Sequence, residues 1–142
     1  VEDRQQLRAA LQRGTFSAIS SDHQPHEPDA KISPFPSTEP GISGLDTLLP
    51  LSLRLVDEQV LDMTEMIRRL THGPAGILGL PYGTLAPGAA ADICIFDPEH
   101  TWQLDTNTMQ SHGHNTPFLG WELKGRATHT LLAGDIVYTL EP

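Results

Sequence analysis

The side chains best suited to chemistry cluster in one short run, Ser21-Asp22-His23-Gln24-Pro25-His26. Asp22, His23 and His26 place one carboxylate and two imidazoles within five positions. Pro25 removes an amide donor and restricts its predecessor, so the three are not ligands on one helical face. Asp22 follows a short β-tolerant run and precedes a proline-rich loop. In a parallel α/β barrel, that strand end is where catalytic side chains are found. On the functional reading, Asp22 holds a metal or acts as a base, with a histidine beside it. On the plainer reading, Asp22 caps a turn and both histidines are solvated. Spacing leaves both open, because three potential ligands from one short loop rarely complete a catalytic zinc site.

Other polar residues point to structure more than to chemistry. His112 and His114 form an H-x-H next to Asn115-Thr116-Pro117, and a surface loop is the expected setting. His72 sits where a helix is expected to end and would favour the dipole there. Cys94 lies between Ile93 and Ile95 and reads as an inert core thiol. Trp102 and Trp121 read as packing residues. Gly76, Gly79 and Gly83 lack the strand-to-helix context of a phosphate loop.

The pattern around these residues says what must position them. Residues 3–13 predict an amphipathic helix, with Leu7, Ala10 and Leu11 at helical spacing, Asp3 as N-cap and Gly14 as C′. Residues 15–21 predict one strand after a tight turn, which makes half of a β/α unit. Residues 22–42 hold five prolines and predict a loop without regular elements. A loop that long inside a compact domain is more often functional than not. Residues 43–60 return to helical spacing, with Leu45, Leu48, Leu49, Leu53 and Val56 on one face. Ser43 and Asp46 resemble a capping box there, and Pro50 is expected to kink the helix or split off its first turn. Asp62 and Glu65 form a second box-like start to a helix that carries Met66, Ile67 and Leu70 inward and stops at Gly73-Pro74. A short helix over 74–79 follows. Beyond residue 80 the texture is β. Asp92–Phe96, Thr128–Leu132 and Ile136–Tyr138 predict strands, the last two joined as a hairpin through Ala133-Gly134-Asp135.

Composition narrows the class. The chain has 142 residues, 18 acidic and 9 basic, for a formal net charge of −9. Without a basic run, nucleic-acid binding is not expected, because it needs Lys and Arg to displace counterions from phosphate. No apolar run approaches the ~20 residues of a membrane span. Cys94 is the one cysteine, so it makes no internal disulfide and no cysteine cluster for zinc. Nothing resembles a signal peptide, and a reduced cytoplasmic setting is expected. The start at Val1-Glu2-Asp3, inside an expected helix, suggests a piece of a longer chain.

Several segments, in order, resemble dihydroorotase of the amidohydrolase superfamily. Ser21–His26 and Pro40–Leu51 resemble the end of that family's barrel, and Thr71–Leu80 is similar to the helix that follows. Gly83–Asp97 is similar to a segment shared widely by amidohydrolases. Asn115–Gly125 is more particular to dihydroorotase, and Ala133–Tyr138 matches a common amidohydrolase ending. The resemblance implies an α/β fold: the C-terminal part of a TIM-type barrel over residues 1–79, with its last strand, long loop and helices, and most of a small β-sandwich over 80–142. It implies zinc-dependent, reversible cyclisation of N-carbamoyl-aspartate to dihydroorotate in pyrimidine synthesis. There the ion lowers the pKa of water and polarises the carbonyl.

Residue by residue, the resemblance gives Asp22 contact with the metal and the proton shuttle between water and the leaving nitrogen. It gives His26 the substrate's carboxylate and places the backbone of Gly41 near the substrate. It gives His23 no direct role. The family's H-x-H, its metal-bridging lysine and two further metal histidines belong to earlier strands, so this segment by itself is expected to be inactive. Gln24 stands where active members often have alanine, and Pro40 where many have phenylalanine. Some noncatalytic dihydroorotase-like partners of aspartate carbamoyltransferase look like this sequence in that stretch. Such a scaffold is one alternative, and another cyclic-amide hydrolase, such as a hydantoinase or allantoinase, is a second. The helices at 43–60 and 63–72 would normally cover a barrel, so self-association of the segment and a homo-oligomeric protein are expected.

Overall fold

The structure is a computed structural model that describes residues 1–141. Pro142, the last residue of the segment expected to be β-rich, lies outside the described residues. Among the described residues, four α-helices precede a three-stranded antiparallel sheet in the order β1-β2-β3. The helices are α1 (Glu2–Gln12), α2 (Leu45–Asp57), α3 (Met63–Leu70) and α4 (His72–Leu78); the strands are β1 (Ile93–Gln103), β2 (Glu122–Leu132) and β3 (Asp135–Thr139).

Helix α1 ends where expected, because Gly14 takes the left-handed conformation, φ 81°, that a chain leaving a helix needs. It begins one residue earlier than expected. Val1 is the N-cap and Asp3 sits in the first turn, where its charge complements the helix dipole. Residues 15–21 are not a strand. A strand needs hydrogen-bonded neighbours on its edges. This run has Ile19 N–H donating to the Arg69 carbonyl at 2.9 Å, and a lone parallel bridge just beyond it joins His23 to Ile42. The proline-rich loop also differs from expectation in part. Two single 3₁₀ turns, Pro28–Lys31 and Phe35–Ser37, form within it, each with proline in its first turn, where no amide donor is required.

Helix α2 runs unbroken through Pro50 rather than splitting there. Its buried face carries Thr47, Pro50, Ser52 and Leu53, while Leu45 is turned outward. Asp62 caps α3 by accepting the Glu65 N–H at 2.8 Å, as its spacing predicts. Met66 is fully buried and Leu70 packs beside it, but Ile67 is exposed. The helix breaks at Thr71 rather than at Gly73-Pro74. Both of those residues lie inside α4, so His72 opens a helix instead of closing one. Gly73 is required by packing, since a Cβ there would overlap the Ser17 carbonyl.

Two cores share α2. Leu11, Leu53, Leu61 and Met66 form one, and Leu104, Met109 and Leu123 the other, with Leu51 packed against it. Gly125 in β2, φ 96°, allows Leu53 to sit on the sheet, because a Cβ would overlap the Leu53 side chain. The β2–β3 hairpin turns through Ala133 and Gly134, both at positive φ, the pattern of a type I′ turn. Trp102 packs against the second core and donates Nε1–H to the Gly125 carbonyl at 3.1 Å. Trp121 is exposed, with Phe118 edge-on at 5.1 Å. Cys94 is exposed rather than a core residue, although burial around its thiol still pushes its pKa up. No helix is long and apolar enough to cross a membrane among the described residues.

Candidate active site

The loop over 22–42 brings its two ends together, and that closure builds the site. Gln24 N–H donates to the Ile42 carbonyl at 2.8 Å beside the His23–Ile42 bridge. Asp22 stands at the entry of this closure, exposed, with φ 45°. A positive φ at a non-glycine residue is uncommon, and Asp and Asn tolerate it better than most. No ion pair among the described residues involves Asp22.

His23 has a structural duty that its spacing did not reveal. Its Nδ1 accepts the N–H groups of Gly44 at 3.0 Å and Leu45 at 3.2 Å, at the start of α2. Those amides have no partner within the helix, and the N-cap residue is glycine, which has no side chain to offer. The Ser43 and Asp46 pair does not form the expected capping box. Ser43 Oγ is buried without a partner, and Asp46 accepts instead from Gln110 N–H at 2.7 Å and from the Ser111 hydroxyl. His23→Ala should lower unfolding free energy by about 1 kcal/mol, the usual worth of an N-cap. Chemical denaturation checks this, and His23→Asn should recover part of the loss.

His26 is part-buried. Its Nε2 lies 3.0 Å from the Pro40 carbonyl oxygen, which makes Nε2–H the donor. Gly41, adjacent to Pro40, has φ 90° and packs so tightly on Gln24 that a Cβ would overlap its side chain. Lys31 Nζ donates to the Gly41 carbonyl at 2.8 Å and also to that of Glu39. Asn115 crosses between the loop ends. Its Oδ1 accepts His26 N–H at 2.8 Å, and its Nδ2 donates to the carbonyls of Gln24 at 2.9 Å and Gly41 at 3.4 Å. In the sequence, Asn115 stands out only as the start of the Asn115–Gly125 segment. The Gly113 and Pro117 on either side were the one sign of a close, turning backbone.

The structure thus brings Asp22, His26 and Gly41 to one loop closure. His112 and His114 are exposed, as expected for a surface loop, and His72 and Cys94 lie on other elements. The shifted ionisations also lie elsewhere: Arg8 holds Glu58 below the ordinary carboxylate range, and Arg68 does the same for Glu65. Among the described residues, no three His, Cys, Asp or Glu side chains converge to hold a metal ion. His23 Nδ1 and His26 Nε2 are taken by backbone groups, which leaves the Asp22 carboxylate and His26 Nδ1 open among the loop's three candidates. Those two do not complete a metal site by themselves.

The profile described as "Amidohydrolase family" matches residues 1–137. The dihydroorotase of Syntrophus aciditrophicus (strain SB) is 48% identical over 137 residues, covering 96% of this chain and 32% of that protein. A dihydroorotase-like protein of Pseudomonas aeruginosa (strain PAO1) is also 48% identical, over 136 residues and 32% of its length. The chain thus spans about a third of the curated relatives it matches. A solved D-hydantoinase superposes with a TM-score of 0.84 at 26% identity, over 97% of this chain and 32% of that one.

Proposed function

The chain belongs to the amidohydrolase family, and from that premise we propose that it is the C-terminal third of a dihydroorotase. Residues 1–79 belong to the end of a TIM-type barrel, and the described residues from 80 onward form most of a small β-sandwich. The observation that carries this reading is the loop closure itself: one carboxylate left free at Asp22, beside His26 and Gly41 held in fixed relation. In ring opening, Asp22 takes the proton of the attacking water and delivers it to the ring nitrogen as the C–N bond breaks. His26 helps hold the substrate's carboxylate, and the backbone of Gly41 lies near the substrate. The reverse sequence closes N-carbamoyl-aspartate to dihydroorotate. Asp22 would contribute one ligand to a zinc ion, which would supply Lewis acidity there. A cytoplasmic location and homo-oligomeric assembly belong to the same proposal.

The whole, zinc-loaded protein should interconvert N-carbamoyl-aspartate and dihydroorotate, followed by chromatographic separation of the two. Removing zinc with a chelator should abolish turnover, and adding it back should restore it. Turnover of hydantoin or allantoin in place of dihydroorotate would instead support another cyclic-amide hydrolase.

A second reading is a noncatalytic partner of aspartate carbamoyltransferase. Gln24 and Pro40, the two departures from the active pattern, both touch the candidate substrate contacts: the Gln24 side chain lies against Gly41, and the Pro40 carbonyl engages the His26 ring. Stable association with aspartate carbamoyltransferase, without turnover of dihydroorotate, would favour this reading.

A further inference from the structure

We propose that Asn115 is a positioning residue whose carboxamide fixes His26 and Gly41 relative to each other. The inference rests on the reading of those two residues as substrate contacts. Asn115 uses both ends of its side chain, accepting from His26 N–H and donating to the Gln24 and Gly41 carbonyls. Its own carbonyl accepts Ser43 N–H at 3.1 Å, which ties the same point to the entry of α2. The amide orientation is fixed by its partners. Turned over, it would set its NH₂ group against an N–H and its oxygen against two carbonyls.

The approach of this segment to the loop depends on Gly113. A Cβ there would overlap Pro25 and lie 3.0 Å from the His26 nitrogen. That explains the H-x-H run in physical terms: its spacer glycine touches the site loop, while both imidazoles are exposed. The two loop ends Asn115 joins also meet directly, through the Gln24 N–H bond to the Ile42 carbonyl and the His23–Ile42 bridge. Gly41 is restrained from one side by Lys31, and the His26 ring by the Pro40 carbonyl. Among the described residues, Asn115 is the one side chain from outside the loop that bonds to the backbone on both sides of the closure. Aspartate keeps the acceptor but faces two carbonyls with an oxygen, and alanine supplies neither donor nor acceptor.

The test uses the whole protein and steady-state ring opening of dihydroorotate. Asn115→Ala and the nearly isosteric Asn115→Asp should each raise KM roughly tenfold to a hundredfold, as expected for losing two or three hydrogen bonds. The kcat should stay within about threefold, since substrate binding and not the proton shuttle is disturbed. Bound zinc per chain should not change. A lowered melting temperature with KM unchanged would mean a merely structural role and would overturn the proposal; so would a loss confined to kcat. Amide exchange in the unsubstituted protein keeps the idea testable if neither variant folds: dihydroorotate should slow exchange at the His26 N–H, and no change would overturn the proposal. Should the unsubstituted protein neither bind nor turn over dihydroorotate, the functional reading fails and the inference with it. Should it turn over normally while the Asn115 variants keep their KM, the inference alone fails.

Discussion

Asp22→Asn should abolish ring opening by the whole protein while leaving its fold intact. Loss of a general base typically costs about 10²–10⁴-fold in rate, and loss of a metal contact adds to that. The substitution is unusually clean for a stability control. Asp22 is exposed, forms no ion pair among the described residues, and has φ 45°. Asparagine is the same size and is at ease at positive φ, so the backbone of the loop closure need not move. Turnover of dihydroorotate and thermal melting should therefore separate: the first collapses and the second stays within a few degrees. Activity close to that of the unsubstituted protein would remove Asp22 from the mechanism, and a large fall in melting temperature would make it a structural residue.

The largest expected loss of stability is at Met66. Its side chain is 0% exposed and packs with Leu11, Leu53 and Leu61, so it joins α1, α2 and the segment before α3. Met66→Ala should cost about 2–5 kcal/mol, the range for removing a large buried side chain and leaving a cavity. Met66→Leu nearly conserves volume and should cost less than about 1.5 kcal/mol. Urea denaturation of both variants measures the difference. Equal midpoints would mean that this core is loose enough to collapse around the smaller side chain.

Helical spacing was a good guide wherever one face of a helix meets a core. Leu11, Leu53, Met66 and the Asp62 cap were all legible, because periodicity and capping are local properties. The failures share one cause. Residues 15–21 have the composition of a strand, yet strand formation depends on neighbours that composition does not name. Leu45 and Ile67 have helical spacing, yet their exposure is set by what packs against each turn. Ser43 and Asp46 have the spacing of a capping box, yet Asp46 is drawn to Gln110 and Ser111, more than sixty positions away.

The candidate site divides in the same way. The sequence by itself determined which groups are available: one carboxylate and two imidazoles in a loop that proline keeps irregular. It also carried the resemblance that gave Asp22, His26 and Gly41 their expected roles. Only the tertiary structure decided how those groups are used. It assigned His23 to the start of α2, left Asp22 free at positive φ, and joined His26 to Gly41 through Asn115. The physical reason is that hydrogen-bonding capacity belongs to a residue type, whereas its partner is fixed by the closure of a long loop. His23, Ser43 and Asn115 could each have served several donors or acceptors, and the fold selected among them.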